Sequence, residues 1–182
     1  MRLSHTKTKN QSKQLTSFID PKLSQSLTAY RKGQSCETSL IGLVERWKRA
    51  VDNRNVVGVL STGMSKAFDS LYRPLLINKL KAYGFSNNSL ALIRSHFTNR
   101  KNRVRNNQET TSDWHATTRG CLQGSAFGPL LWNVFQNDLH FSIDENRLFM
   151  YADDHQLFSV AAKSSSNETE RIITREGNNI SE

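Results

Sequence analysis

Tyr151-Ala152-Asp153-Asp154 is set inside an apolar run, with Leu148, Phe149 and Met150 before it and Leu157, Phe158 and Val160 after it. Ionised carboxylates are costly to bury without a cationic partner. Two adjacent ones in such a run are therefore expected in a tight turn between two strands, aimed at a metal, with a pair of divalent cations the obvious candidate. The alternative at this level is an Asp-Asp hairpin turn that binds nothing. Two other stretches bear on the choice. Val56-Val57-Gly58-Val59-Leu60 reads as a short buried strand and runs on through Ser61 and Gly63 into Lys66-Ala67-Phe68-Asp69. Further along, Arg119-Gly120-Cys121-Leu122-Gln123-Gly124-Ser125 enters Gly128-Pro129-Leu130-Leu131.

In this order, a strand with Lys-Ala-Phe-Asp, then Gln-Gly-Ser, then Tyr-Ala-Asp-Asp, the chain resembles the palm of reverse transcriptases, most closely those of non-LTR, LINE-type retrotransposons. The resemblance runs from about Leu23 to Val160. It implies an α/β polymerase palm, an antiparallel sheet packed on helices, with part of the fingers and with the thumb missing. It also implies RNA-directed DNA synthesis, with an RNA template, a DNA primer and deoxynucleotides as partners and Mg²⁺ or Mn²⁺ as cofactor. Asp153 and Asp154 match the family's catalytic, metal-binding pair. Phe68 matches a ring that packs under the sugar and favours deoxynucleotides, although a core phenylalanine at a helix start reads the same way. Gln123 and Gly124 match the turn that meets the templating base and incoming nucleotide, where glycine permits close backbone approach. Arg31, in Tyr30-Arg31-Lys32-Gly33-Gln34-Ser35, falls in the segment that approaches template and nucleotide; in isolation it would be an ordinary surface charge.

The chain departs from this pattern at one consequential place. The resembled polymerases carry a further aspartate at the end of the first palm strand, five residues before the phenylalanine of Lys-Ala-Phe-Asp, and here that position is Gly63. Nucleotide addition uses two cations about 3.5–4 Å apart, held by several carboxylate oxygens. Glycine supplies none, so the copy is expected to be inactive. Asp69, six residues on, is expected to face elsewhere. Leu122 stands where the family has proline, which frees the turn's φ angle, and Phe127 stands where it has leucine.

The formal net charge of +9 over 182 residues argues for a polyanionic partner, nucleic acid before membrane surface. Asn99-Arg100-Lys101-Asn102-Arg103-Val104-Arg105-Asn106 reads as a basic strand or ribbon, with Arg100, Lys101, Arg103 and Arg105 lying along a template or primer backbone; a solvated hairpin is the competing reading. A non-catalytic, basic nucleic-acid-binding remnant is thus the alternative function. Cys36 and Cys121 form no spaced framework and are expected to be free thiols. No stretch approaches the roughly 18 apolar residues of a membrane span, and no secretory leader is visible, so an intracellular location, cytoplasm or nucleus, is expected.

Along the chain, residues 1–17 are expected to be a disordered basic tail, residues 18–162 the partial fingers and palm, and residues 163–182 a polar segment with at most a short helix. Leu40, Leu43, Val44, Trp47, Ala50 and Val51 recur at helical spacing behind Ser35 as N-cap, which predicts a core-packing helix. Helices are also predicted over 71–82, closed by Gly84, from Ser86 through Phe97, and over 128–141, with Thr110–Thr118 as a strand partner to the basic ribbon.

Overall fold

β-branched residues from Val56 onward build the strand β1 (Asn55–Gly63), which pairs antiparallel along its whole length with β5 (Asp154–Ala162). β5 also pairs with β4 (Leu148–Tyr151), so the sheet order is β1-β5-β4. The computed structural model describes residues 5–106, 110–122, 124–143 and 147–181. The outer side of β4 is closed by a short extended segment: Met150 N donates to Ser26 O at 2.8 Å and Thr28 N to Met150 O at 3.0 Å.

Successive side chains of a strand point to opposite faces. Leu148, Met150 and Leu157 share one face and enter the main core, joined by Leu60 of β1. Against that core pack α4 (Arg73–Ala82), α5 (Asn87–Phe97) and α6 (Gly128–Gln136). A helix apolar on most of its circumference is a buried one, and α6 is the case here: Leu130, Leu131, Trp132, Asn133, Val134 and Gln136 are all buried. The predicted helix boundaries hold where local chemistry sets them. Ser35 caps α2 (Cys36–Asp52) in a reciprocal capping box with Thr38, Ser86 caps α5, and Gly84 follows α4 with φ +85°.

Three expectations are corrected. The segment expected to be a disordered tail contains α1 (His5–Ile19). Its own apolar pattern is weak, and its C-terminal half is anchored by tertiary contacts: Ile19 is fully buried, Leu15 packs on the core, and Phe18 meets the Phe85 ring edge-on at 5.3 Å. Second, α2 is not sunk into the core. It lies on β1 and β4 with only Ser39, Leu43 and Ala50 buried, while Leu40, Ile41, Val44 and Val51 stay exposed and Trp47 is half-buried. Third, the polar C-terminal segment forms α7 (Ser166–Ser181), which lies along β5 and β1 and buries Thr169 and Glu176.

Close approach of α7 to the sheet depends on glycine. A Cβ built on Gly58 would fall 2.4 Å from Thr169 Cγ2 and 2.5 Å from Ile173 Cδ1, and one on Gly177 would fall 2.6 Å from Leu60 Cδ2. Among the described residues no helix is long and apolar enough to cross a membrane. Replacing a strand glycine by alanine at a compatible site stabilises by about 0.4–1 kcal/mol. Gly58→Ala is expected to do the reverse, losing about 1–3 kcal/mol through overpacking under α7, as read from urea midpoints. A variant as stable as the parent would mean that α7 does not rest on Gly58.

Candidate active site

The β4–β5 hairpin closes on the Tyr151–Asp154 pair, leaving Ala152 and Asp153 as its two-residue turn. Such turns need positive φ, and Ala152 adopts φ +55°. Two further bonds fix the turn. The Trp132 indole N–H of α6 donates to Ala152 O at 2.8 Å, and Met64 N donates to Asp153 O at 3.0 Å. Asp153 is half-buried and Asp154 exposed. Behind them His155 is buried, its Nε2 2.9 Å from Gln136 Oε1. Burial pushes its pKa down and outweighs the opposite pull of Asp154 and Asp153, which favours the neutral ring.

The register of β1 on β5 sets Gly63 directly opposite Asp154, and a Cβ on Gly63 would stand 3.3 Å from Asp154 Oδ1. The strand end therefore lies against Asp154 and brings no side chain to it. Asp69 belongs to the short helix α3 (Ala67–Ser70). Its Cα and carbonyl back onto Gly120, where an added Cβ would meet each at 2.8 Å. Among the described residues no three His, Cys, Asp or Glu side chains come together in a metal-binding group.

Tyr30 and Arg31 divide differently from the sequence expectation. Tyr30 has φ +61°, which turns the chain. Its ring meets Phe68 edge-on at 6.4 Å, and its hydroxyl pKa is raised by burial and then by the charge of Asp153. Arg31, expected at the nucleotide, is held on the other side of that turn. Its Nε donates to Asp20 Oδ1 at 2.9 Å, and its terminal nitrogens donate to the carbonyls of Ser24, Leu27 and Asp20. A ligand would have to displace those bonds. Phe68 lies between Tyr30 and Trp132, 5.4 Å from the latter, half-buried against the core. Gln123 lies outside the described residues; Gly124 has φ +74° and open space around it.

The loop leading to Gly124 is docked on α3 by Gly120 N to Leu71 O and Cys121 N to Phe68 O, both at 2.8 Å. Arg73 holds it from beneath: Nε donates to Gly120 O at 2.9 Å, and the terminal nitrogens donate to the carbonyls of Thr117 and Arg119. Upstream, β2 (Lys101–Asn102) pairs with β3 (His115–Ala116), a ribbon much shorter than the predicted Thr110–Thr118 strand, with an isolated bridge at Arg105–Thr111. Lys101 is exposed, Arg100 donates to His96 O at 2.8 Å, and Arg103 lies over the Trp114 ring. Two organising residues escape a reading by motif. Trp132 has a discoverable signal, since an indole N–H on an apolar helix must find an acceptor. Arg73 has none, because the carbonyls of Thr117, Arg119 and Gly120 that it holds lie more than forty residues away.

Burial, and then the charge of Asp69, push the Cys121 thiol up to about 11, while Cys36 is exposed. A thiol reagent at pH 8 is expected to label Cys36 alone in the folded protein and both cysteines on unfolding; two reactive thiols in the fold would mean that the Cys121 loop is not docked on α3. Trp132→Phe removes the indole donor from the hairpin turn. It is expected to cost about 1–3 kcal/mol in denaturant unfolding through the orphaned Ala152 carbonyl and lost packing; an unchanged midpoint would remove Trp132 as the turn's anchor.

Comparison with known proteins bears on this site. The profile described as reverse transcriptase (RNA-dependent DNA polymerase) matches residues 1–179, further at both ends than the motifs alone reach. A probable RNA-directed DNA polymerase from transposon BS of Drosophila melanogaster is 30% identical over 112 residues, which is 60% of this chain and 12% of that protein. Among solved structures, telomerase from Candida albicans in complex with a fragment of telomeric RNA aligns over 91% of this chain and 32% of its own, with TM-score 0.59 and 13% identity. Apo telomerase from Candida tropicalis aligns over 92% of this chain and 37% of its own, with TM-score 0.54 and 12% identity. These structural likenesses speak for the fold, a polymerase palm-like sheet and helices. The match along nearly the whole sequence shows that the chain belongs to the reverse transcriptase family.

Proposed function

We propose that the chain is the fingers-and-palm part of an RNA-directed DNA polymerase whose carboxylate pair, Asp153 and Asp154, descends from a two-metal centre, and that this copy does not catalyse nucleotide addition. The observation that carries the second half is the position of Gly63: opposite Asp154, where a side chain would start 3.3 Å from Asp154 Oδ1, and without a ligand atom. Two carboxylates can hold one divalent cation, Mg²⁺ or Mn²⁺, weakly. With no third carboxylate, histidine or thiolate grouped with them among the described residues, they do not fit a closely spaced pair. Nucleotidyl transfer through such a pair does not follow from these residues. Loss of one ligand of that kind removes several kcal/mol, or about three powers of ten in rate.

The partners of this reading are an RNA template, a DNA primer and deoxynucleotides. Support comes from the family match, from a structural relative described in complex with RNA, and from the net charge of +9. Tyr30 lies near enough to Asp153 to feel its charge, and Phe68 meets the Tyr30 ring, so in this reading these two rings stand beside the carboxylates and would meet the nucleotide, with Gln123 and Gly124 assigned to it by the family motif alone. A second reading, a non-catalytic nucleic-acid-binding remnant, is favoured by the basic excursion carrying Arg100, Lys101, Arg103 and Arg105. Both readings are compatible with one chain, because the second describes what remains when the first loses its chemistry.

The test is primer extension on an RNA template with Mg²⁺ and then Mn²⁺, alongside Mn²⁺ titration calorimetry. The chain as given is expected to extend nothing. Gly63→Asp is expected to bind Mn²⁺ at least tenfold more tightly than the parent, and Asp153→Ala in that background to lose the gain. Extension by the unaltered chain that disappears in Asp153→Ala would overturn the inactive reading.

A further inference from the structure

The excursion between α5 and α6 carries a feature that the carboxylate site does not use. Trp114 is 58% exposed, and the guanidinium of Arg103 lies 4.7 Å from the centre of its ring. The two residues stand across the ribbon from each other, one step beyond the Asn102–His115 pair. A second exposed ring, Tyr72 at 48%, lies under Arg119 at 5.8 Å. Trp114 and Arg119 are five residues apart, so the two pairs are separated by at most about 18 Å of chain. Arg73 clamps the carbonyls of Thr117, Arg119 and Gly120, which fixes the strand that bears them.

Single exposed aromatic residues are ordinary. Two of them, each paired with an arginine and linked through the stretch from Trp114 to Arg119, make a repeated surface. Around Trp114 the charge is cationic: Arg100, Lys101, Arg103 and Arg105 fall within six residues, with Asp113 an adjacent carboxylate. Among the described residues neither Lys101 nor Arg103 takes part in an ion pair. Flat aromatic and guanidinium faces beside backbone-tracking cations are the combination that binds unpaired bases, since every base offers a π-face and a duplex hides it.

We propose that this ribbon binds single-stranded nucleic acid, with a nucleobase stacked on the Arg103–Trp114 pair and the neighbouring phosphates met by Lys101 and Arg100. The inference rests on the reading of the chain as a nucleic-acid-handling domain and goes beyond it by assigning a base-contacting element remote in sequence from Asp153. Charge complementarity favours a polyphosphate over a protein partner. The indole face separates base contact from general attraction to phosphate.

The experiment is fluorescence anisotropy of the full chain with labelled twelve-residue strands: oligo(U), oligo(dT), an abasic strand of equal charge, and a duplex. Strands with bases are expected to bind tighter than the abasic strand. Trp114→Ala, which alters an exposed side chain, is expected to lower single-strand affinity about ten- to a hundredfold, to the abasic level, with an unchanged salt slope. Trp114→Phe is expected to keep most of the affinity, and Lys101→Ala to reduce the slope of log K against log salt by about 0.7 while preserving the preference for bases. Circular dichroism confirms the fold of each variant. Equal affinity for based and abasic strands, or wild-type affinity in Trp114→Ala, would overturn the stacking platform and leave a purely electrostatic surface. Absence of salt-dependent binding to any strand would overturn both the platform and the broader nucleic-acid reading. The ratio of oligo(U) to oligo(dT) affinity assigns the strand as RNA or DNA.

Discussion

The continuous antiparallel pairing of β1 with β5 decides what the carboxylate hairpin faces. One unbroken register carries the chain from Asn55 opposite Ala162 to Gly63 opposite Asp154. A slip by one residue would turn every side chain of β1 to the other face, moving Leu60 out of the core and Gly58 out from under α7. The core and the α7 contact therefore hold the register, and the register sets Gly63, with hydrogen for a side chain, against Asp154.

A second set of bonds ties the hairpin's surroundings together. Trp132 joins the hairpin turn to α6 and stacks near Phe68; the loop from Arg119 to Cys121 hydrogen-bonds to the backbone around Phe68; and Arg73 grips that loop from α4. The three motif stretches, far apart in sequence, thus share one hydrogen-bonded frame. A planar guanidinium suits the task because its fork of donors can meet several carbonyls at once, which an ammonium on a flexible stem does less well.

The fold class was legible because its signals are local. A β-branched run, a carboxylate pair between apolar strands, serine caps and a glycine after α4 each determine structure within a few residues. The departures arise where distant contacts decide. α1 is anchored by Phe85 and the core, which no feature of residues 5–19 announces. The apolar stripe of α2 reads as core, yet most of it finds no cover among the described residues, since periodicity marks a face without naming what lies against it. At the hairpin, the carboxylate pair was legible as a turn between two apolar strands, and the placement of Gly63 opposite Asp154 follows from strand register. Arg31 was not: a positive φ at Tyr30 sends it to Asp20 and three carbonyls, and backbone handedness at a non-glycine residue leaves little trace in sequence.

The carboxylate turn and its empty neighbour also belong to different ranges of the chain. β4 and β5 meet across a two-residue turn, whereas β1 meets β5 only after a loop of roughly ninety residues is closed, from Gly63 to Asp154. Closing long loops is entropically slower than forming a hairpin. The aspartate pair is therefore built by the most local contact in the sheet, and the strand end carrying Gly63 is brought to it by one of the least local. The position of Gly63 against Asp154 is therefore held by long-range strand pairing, while the aspartates themselves are placed by a local turn.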